Sequence, residues 1–505
     1  MRQLCLMLVI IVLISVNVVV AQEMSKDEVK SILIKATELY RAKQYDQAVE
    51  QYELILKYLK DDAGDLYNAA CTYSLAGRVK KAISILKQAV EAGWDSYDHM
   101  NSDPDLDNIR DESDFKTLMA DLLEKVTEEE KKLKFWLNPN KTVTLGKEEF
   151  ELIGTPTDSV PETARRVRDM QPFNNEIYIG YGDGMKNLGP VALVSFQPDK
   201  KGWKYHFMLQ EHLMVHFCQI GDELYIPGAE PYEAIRGRNY IRNYDFGNIY
   251  RLFKHGGYVK YRTVPVALHI QGITELKGKF YCTAGTANET WSESWGCVLQ
   301  STDGCAIWTP VYNTEVSDVG TVVIRMGGIR SFKKKVYAFG FAFTVNPDGK
   351  FVYFPDFSGE DETVVYDNKS WSTKNLIRDS GLLNVSDVDV FNGHLILNAH
   401  FKKTEADSLS PDMCSKLYIY NGTGAAKKVL DETDAKIEDI FITDDDLYLL
   451  LQKEEERKIL QTENLKDFET IFTVPSEMDS IYCITVHKEY LYFGTTKGDI
   501  YRTKM

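Results

Sequence analysis

A cluster of cationic and aromatic side chains lies between residues 231 and 244. Three arginines alternate there with tyrosines, including Tyr232, Arg236, Arg238, Tyr240 and Arg242. A second polar and aromatic segment contains Trp291, Glu293 and Trp295. Arginine forks bind carboxylate or sulfate through paired hydrogen bonds, and flat aromatic faces stack on sugar rings or cations. Both segments are therefore candidate binding elements for an anionic glycan or an acidic peptide; the alternative is that they only pack against each other or the rest of the protein.

No complete catalytic or metal-binding set accompanies these segments. The sequence contains neither an extended glycine-rich phosphate loop nor a Gly-x-Ser-x-Gly elbow. The histidines that suggest a metal site are His212, His216 and His269. Two-residue alternation along neighbouring strands projects His269 to the face opposite His212 and His216. We therefore predict no catalytic residue, no metal and no cofactor.

The composition indicates a large globular chain that does not bind nucleic acid. The chain has 505 residues, is 44% hydrophobic and carries a net charge of -16, which repels a phosphate backbone. Because a typical domain has about 100 to 200 residues, we expect two or more domains. The many tyrosines and phenylalanines favour β-sheet.

The first 21 residues predict export. After Met1 and Arg2, an apolar run extends to Ala21 and ends in small residues that suit signal peptidase. The alternative is an uncleaved N-terminal anchor, and we expect no other membrane contact. The mature protein is then secreted or periplasmic. It retains seven scattered cysteines, of which Cys282 is a candidate partner for Cys297 or Cys305 across a hairpin.

Residues 26–134 predict a helical repeat domain. Small and large apolar residues recur there with a period of 34, as in Ala36 with Ala70 and Ala48 with Ala82. The pattern resembles the tetratricopeptide repeat (TPR), a short α-solenoid built from helical hairpins. The resemblance implies a concave surface that binds peptides, and the alternative is that two repeats only brace the following domain.

Residues 140–505 predict a β-propeller, so that the fold class is multidomain, α plus all-β. An apolar tripeptide, usually centred on tyrosine, recurs seven times, at 177–179, 224–226, 280–282, 336–338, 395–397, 447–449 and 491–493. Four strands in each interval are typical of a propeller blade. The last blade lacks one strand, which we expect residues 147–153 to supply. We predict seven blades, with six or eight as alternatives.

We also expect one face of this propeller to carry the ligand site. Loops that lead into the innermost strands and connect the blades are expected to line it. Loops that join the second and third strands are expected to lie on the opposite face. The sequence does not settle which face the two unusual segments occupy.

The segment 301–308 resembles an Asp box (Ser-x-Asp-x-Gly-x-x-Trp), with Cys305 in place of glycine, and 462–468 is a weaker copy. The resemblance is to sialidase-like and sortilin-like propellers, in which this motif is structural. A sialidase also needs three convergent arginines and acidic partners. The individual candidates are Arg168, Arg325, Arg330, Asp169 and Glu211, but the family's Arg-Ile-Pro segment is absent.

These observations favour an exported, non-enzymatic binding or scaffold protein. Its TPR-like surface and propeller loops would recognise a protein, a peptide or an anionic glycan. The alternative is a glycan-processing enzyme, either a sialidase-like hydrolase or a metal-dependent polysaccharide lyase.

Overall fold

A computed structural model describes most of the chain between residues 24 and 505. The residues that it leaves undescribed are 1–23, 61–62, 95–96, 137–140, 146–147, 158–159, 184–189, 232–245, 266, 288–291, 319–321, 346–350, 354–362, 403–412, 432–434 and 479. The predicted signal peptide therefore lies outside the described residues. No helix in the described part of the chain is both long and apolar enough to cross a membrane.

The chain divides into two compact units, one formed by Met1–Trp94 with Asp105–Glu112 and the other by Asp95–Pro104 with Ser113–Met505. The α-helices are α1 (Lys26–Arg41), α2 (Tyr45–Ile55), α3 (Ala63–Leu75), α4 (Val79–Glu91), α5 (Tyr97–Ser102) and α6 (Ser113–Trp136). Short 3-10 helices cover Leu56–Tyr58, Pro104–Leu106, Glu162–Ala164 and Ser476–Met478. Helix α6 belongs to the second unit, where Val126 packs against the core of the first propeller blade.

The first unit contains two helical hairpins, α1 with α2 and α3 with α4. Ala36, Ala48, Ala70 and Ala82, the small residues of the 34-residue period, are all fully buried. Because alanine has a small side chain, the helices can approach one another closely at these positions. The periodic residues therefore form the core of this unit.

The second unit contains a seven-bladed β-propeller, as the sequence predicts. In chain order, the strands of blade 1 are Val167–Phe173, Glu176–Tyr181, Val191–Gln197 and Gly202–Leu209; of blade 2, Cys218–Ile220, Glu223–Pro227, Phe246–Phe253 and Tyr258–Pro265; of blade 3, His269–Leu276, Lys279–Ala287, Glu293–Ser301 and Thr309–Asn313; and of blade 4, Val323–Phe332, Lys335–Val345, Thr363–Tyr366 and Trp371–Lys374. Those of blade 5 are Leu382–Phe391, His394–Lys402, Met413–Tyr420 and Lys427–Leu430; of blade 6, Ala435–Ile442, Leu447–Lys453, Glu456–Thr462 and Glu469–Val474; and of blade 7, Ile481–His487, Tyr490–Thr495, Ile500–Lys504 and Glu148–Gly154, with Lys141–Leu145 added outside. Four short strands lie outside this scheme: Glu211–Leu213, Ala229–Pro231, Ser317–Asp318 and Phe351–Tyr353.

The seven recurrent tripeptides all lie in the second strands of the blades. Their central residues are almost fully buried, and six of them are tyrosines: Tyr178, Tyr225, Tyr281, Tyr337, Tyr448 and Tyr492. Tyr492 of blade 7 belongs to the apolar cluster of blade 1, so this side chain packs across the boundary between the two blades. Large aromatic rings at equivalent positions therefore fill the space between neighbouring sheets.

The first and last parts of the propeller sequence are joined in blade 7. Glu151 pairs with Arg502 and Leu152 with Tyr501 across antiparallel strands, so the structure contains the pairing expected for residues 147–153. Arg502 Nε also donates a hydrogen bond to Glu151 Oε2 at 2.7 Å, and a terminal guanidinium nitrogen lies 2.6 Å from the same oxygen in an ion pair. Backbone and side-chain bonds together close the ring and leave no open edge at this junction.

The turn after the third strand of blade 3 is held by its own side chains. Asp303 Oδ1 accepts hydrogen bonds from Ser301 Oγ at 2.8 Å and from the Ile307 amide at 2.9 Å. The Trp308 indole, which is buried beneath the turn, donates to the Cys305 carbonyl at 3.0 Å. Cys305 has a φ of 79°, in the left-handed region that favours glycine.

The corresponding turn of blade 6 has a similar construction. Thr462 Oγ1 accepts a hydrogen bond from the Leu465 amide at 3.0 Å, and Asn464 Oδ1 accepts one from the Asp467 amide at 2.9 Å. Leu465 is buried and has a φ of 61°. Both turns thus bury a non-glycine residue in the left-handed conformation.

Candidate binding face of the propeller

A ladder of backbone pairs connects blades 1, 2 and 3 on one face of the propeller. Gly182 pairs with Leu213, Leu213 with Ala229, Ala229 with His269, and His269 with Gly285. We call this row of five residues the crossing ladder. It runs from the end of a strand in blade 1 to the end of a strand in blade 3. The backbone pairs therefore fix the positions of the connections of three blades relative to one another.

The crossing ladder corrects the expectation about the two faces. Gly182 and Gly285 lie at the ends of second strands, whereas Leu213 belongs to the connection between blades 1 and 2. Since antiparallel strands reverse direction at each step, the connection after a second strand and the connection between blades leave at the same end of a blade. The loops joining second and third strands therefore lie on the face that carries the blade connections, and the expectation of opposite faces was wrong.

Most of the predicted binding residues lie outside the described residues. These are Tyr232, Arg236, Arg238, Tyr240, Arg242 and Trp291. The flanks of both segments are described, however. The arginine-rich segment follows Ala229–Pro231, and the tryptophan segment follows Lys279–Ala287. Because the strand that begins at His269 lies between these flanks, they are separated by two strand spacings, or about 10 Å.

Trp295 is the one predicted binding residue that the structure describes. It lies opposite Thr286 in the third strand of blade 3. Its half-buried ring packs against the apolar cluster that contains Cys297 and Trp308. The side chain therefore contributes to packing and also keeps part of its surface exposed near the flank of the tryptophan segment.

Arg325 lies beside the same flank. A Cβ atom added to Gly285 would lie 2.5 Å from Arg325 Cγ, so the aliphatic part of this arginine rests on the glycine backbone. The Arg325 guanidinium lies 5.1 Å from the ring centroid of Phe343. The absence of a side chain at Gly285 thus lets blade 4 place a cation at the base of the tryptophan segment.

A buried carboxylate lies beneath the ladder. Glu211 is fully buried, and its Oε1 accepts hydrogen bonds from Asn248 Nδ2 and, at 3.2 Å, from the Tyr250 hydroxyl. A Cβ added to Gly228 would lie 2.8 Å from the Glu211 carboxyl, so only glycine fits there. These bonds position the strand that precedes blade 2 and assign Glu211 a structural part in holding the ladder.

His212 and His269 follow the predicted alternation, whereas His216 lies outside the strands, between Glu211–Leu213 and Cys218–Ile220. Both Leu213 and His269 pair with Ala229, so their side chains share one side of the ladder and His212 points to the other. Within the described propeller residues, no three ligand atoms of His, Cys, Asp or Glu lie close enough together to hold a metal ion.

The arginines considered for a sialidase do not form one convergent group. Arg330 binds Asp389 of blade 5 through two nitrogens, at 3.1 and 2.7 Å. Arg325 lies five residues earlier in the same strand, beside Gly285, while Arg168 lies in blade 1. The charge of Arg330 is therefore already paired across the boundary between blades 4 and 5.

Sequence reasoning named Asp169 as a candidate acid but missed two further aspartates, Asp387 and Asp439, that occupy the equivalent place in their blades. Register shifts in the first strands of three blades contain the aspartates Asp169, Asp387 and Asp439. A bulge at such a shift changes the direction of the side chain. Asp169 accepts a hydrogen bond from the Phe217 amide and Asp439 one from the Ile484 amide, each at 2.7 Å.

Burial raises the pKa of Asp169 and of Asp439, and repulsion from Asp387 adds to both shifts. Each of these two carboxyls receives an amide from the following blade, so they tie neighbouring blades together. The available sequence signal was an acidic residue that breaks the two-residue alternation of an inner strand.

No disulfide joins Cys282 to Cys297 or to Cys305, the two pairings that the sequence left open. Cys282 lies opposite Leu299, and Cys297 lies opposite Ala284, so neither pairing places two sulfurs face to face. All seven described cysteines are free. For the pair of Cys282 with Cys297, the register of the hairpin is the reason, because it offsets the two residues by two positions.

Comparison with known proteins finds a partial match in the N-terminal region. Residues 28–131 match the N-terminal domain of A/B hydrolase-like proteins. The chain is 35% identical over 78 residues to a chloroplastic protein of Arabidopsis thaliana, an alignment that covers 15% of this chain and 23% of that protein. This chain thus spans less than a quarter of the length of the curated relative.

Solved structures resemble about two thirds of this chain. An ulvan lyase of polysaccharide lyase family 25, bound to a glucuronate and sulfated rhamnose ligand, has a TM-score of 0.41 at 11% identity and covers 68% of this chain and 93% of its own. A streptogramin B lyase has a TM-score of 0.38 at 13% identity, with 67% and 93% covered. The β-propeller domain of the trilobed protease of Pyrococcus furiosus has a TM-score of 0.38 at 11% identity, with 68% and 96% covered. Such distant likeness says nothing about what this chain binds.

Proposed function

We propose that this chain is an extracytoplasmic, non-enzymatic binding protein that recognises an anionic glycan on the face of the crossing ladder. The observation that carries the proposal is the position of Arg325 beside Gly285, at the base of the tryptophan segment. The arginine-rich segment begins two strand spacings away. Cations and aromatic rings near one another suit acidic sugars, because guanidinium forks bind the acid groups while rings stack on the sugar faces.

The net charge of the chain supports this assignment. A chain with a net charge of -16 repels anions in general, so an anionic ligand needs a local group of cations. Arg236, Arg238 and Arg242 supply three positive charges within seven residues. Together with Arg325, they would form a cationic patch on an otherwise acidic protein.

We further propose that the helical unit is TPR-like and that the turns at 301–308 and 462–468 are Asp boxes. The buried alanines at the 34-residue period support the first assignment. The carboxylate of Asp303, which accepts bonds from its own turn, supports the second. On this interpretation the Asp-box turns stabilise blades, and recognition belongs to the loops.

The apolar segment of residues 1–21 supports export of the mature chain. Amino-terminal sequencing of the protein recovered from the medium or periplasm tests this assignment. A mature terminus near residue 22 is expected. Recovery of the full-length chain from the cytoplasm alone would contradict it.

Binding is tested with the full mature chain on immobilised heparin, chondroitin sulfate, polygalacturonate, neutral dextran and poly-glutamate. We expect binding to one or more of the acidic polysaccharides and none to dextran. A triple variant, Arg236→Gln with Arg238→Gln and Arg242→Gln, should weaken this binding about tenfold or more, because three charge-assisted contacts are lost.

A matched variant replaces Lys200, Lys254 and Lys279 with glutamine. These exposed lysines lie in or next to turns on the opposite face, so the charge change is the same and binding should be retained. Equal losses in both triple variants, or no binding to any acidic polysaccharide, would refute the proposal. Binding to poly-glutamate alone would favour an acidic peptide. Release of shortened or unsaturated sugars would support a glycan-processing enzyme instead.

A further inference from the structure

Two arginines lie side by side where the first strands of blades 7 and 1 begin. Arg166 directly precedes the strand Val167–Phe173, and Arg168 is its second residue. The Arg166 guanidinium lies over the ring of Tyr482, 4.9 Å from the ring centroid. Tyr482 is the second residue of Ile481–His487, the first strand of blade 7. Blades 1 and 7 therefore bring the side chains of Arg166, Arg168 and Tyr482 close together.

Arg168 is held in a defined orientation. Its Nε donates a hydrogen bond to the Gly182 carbonyl at 3.2 Å. Among the described residues, neither of its terminal nitrogens donates a further hydrogen bond. The anchor uses the Nε edge of the guanidinium and leaves the pair of terminal nitrogens for another acceptor.

The surroundings of Arg168 disfavour its own charge. Burial lowers the pKa of Arg168, and the neighbouring Arg166 lowers it further, while Tyr482 and Asp183 act in the opposite direction. A bound anion would compensate for the loss of hydration and for the repulsion between the two guanidinium groups.

The charges of other arginines in the propeller are balanced by ion pairs with acidic residues. Arg251 binds Glu223 through two nitrogens, and Arg330 and Arg502 bind Asp389 and Glu151. Among the described residues, Arg166 and Arg168 form no ion pair with an acid.

We infer that Arg166, Arg168 and Tyr482 form an oxyanion site that binds a singly charged carboxylate or sulfate ester. Two adjacent guanidinium groups, one of them largely buried, favour an anion that replaces their lost hydration. The free edge of Arg168 matches two oxygens of such a group, and Arg166 stacked on Tyr482 supplies the second cation. The site uses residues outside the arginine-rich segment and stands whether or not that segment binds a glycan.

The site is tested by calorimetric titration of the full mature chain in low-salt buffer. The probes are methyl glucuronide for the carboxylate, methyl sulfate for the sulfate ester, and neutral methyl glucoside. We expect one or both anions to bind with a stoichiometry of one, and the glucoside not to bind. Binding of methyl glucuronide alone assigns a uronate, and binding of methyl sulfate alone assigns a sulfate ester.

Three single variants identify the residues. Arg168→Lys keeps the charge but loses the planar fork, and Arg166→Gln removes the second cation; each should weaken anion binding about tenfold. Arg378→Gln is the matched control, because Arg378 is an exposed arginine in the connection between blades 4 and 5, and it should change binding less than about twofold.

Failure of both anions to bind the wild-type chain would overturn the inference. An equal loss in Arg378→Gln would also overturn it, by showing that general charge and not this site attracts the anion. Should Arg168→Lys fold poorly, Arg166→Gln decides the question alone, since Arg166 is partly exposed and donates no hydrogen bond to a described residue.

Discussion

Replacing Arg502 with methionine should destabilise the propeller by about 2 to 3 kcal/mol. Arg502 lies in the last strand and binds Glu151 of the strand that completes blade 7. The Arg502 side chain is 4% exposed, whereas that of Glu151 is 23% exposed. The substitution therefore removes a buried cation and leaves a carboxylate that is still in partial contact with solvent.

The magnitude follows from this unequal burial. Removing one partner of a fully buried pair costs about 3 to 5 kcal/mol, whereas an exposed pair contributes about 0 to 1 kcal/mol. Partial exposure of Glu151 places this pair between the two limits, near 2 kcal/mol. The Arg502 guanidinium also lies over the Tyr490 ring at 4.5 Å, and loss of this contact adds about 0.5 to 1 kcal/mol. Methionine keeps most of the aliphatic packing.

Urea unfolding followed by tryptophan fluorescence measures the change, and amide hydrogen exchange locates it. Exchange should accelerate most in Ile500–Lys504, the strand that the ion pair attaches. Lys504→Met is the control in the same strand, because the pair between Lys504 and Glu489 has exposed partners on both sides. It should cause no measurable change. Wild-type stability in Arg502→Met, or the same loss in both variants, would refute the argument that this ion pair secures the closure.

Three further predictions concern a buried histidine, the thiols and the candidate binding face. Burial lowers the pKa of His400 to about 4, below its unfolded value of about 6.5, so the stabilising effect is complete above pH 6.5 and falls as the pH drops towards 4. Between pH 7.5 and 5, the free energy of unfolding of the wild type should therefore fall by about 2 kcal/mol more than that of His400→Gln, as measured by urea titrations. Equal losses in the two proteins would contradict this assignment. In a thiol-reagent assay of the native mature chain, Cys414 should react first, because it is the one partly exposed cysteine among those described. Burial raises the pKa of Cys282, so rapid reaction of Cys282 would contradict its buried position in the blade. Gly285→Ala should destabilise the protein by about 1 to 2 kcal/mol, because the new methyl group would collide with the Arg325 side chain. Adding Arg325→Ala should recover part of this loss in the same unfolding assay. If stability does not recover, this contact is not the cause of the loss.

Much of the propeller was predictable because its information is local. The seven tripeptides mark the second strands, and the residues before them form tight turns, as at Asn392 and Gly393, which both have positive φ. A hairpin needs only neighbouring residues to specify its register. The missing strand of the last blade was also readable, because counting strands shows which edge would remain unpaired.

The candidate site was much less predictable. Ala229 pairs with both Leu213 and His269, which belong to connections of different blades, and no local pattern states that these backbones meet. The same is true of Arg166 and Tyr482, which lie more than three hundred residues apart in the chain and meet only because the ring closes. Such encounters depend on blade number and bulge positions together.

The amino-acid sequence alone determined the class of fold, since alternation, turn residues and repeat length act over a few neighbouring positions. It also marked the unusual arginine and tryptophan segments. Tertiary structure alone decided that the described flanks of these segments end on the same face, that Arg325 lies against Gly285, and that Cys282 faces Leu299. The physical reason is that side-chain position depends on pairing register across distant strands, where a shift of one residue turns a side chain to the other face of its sheet.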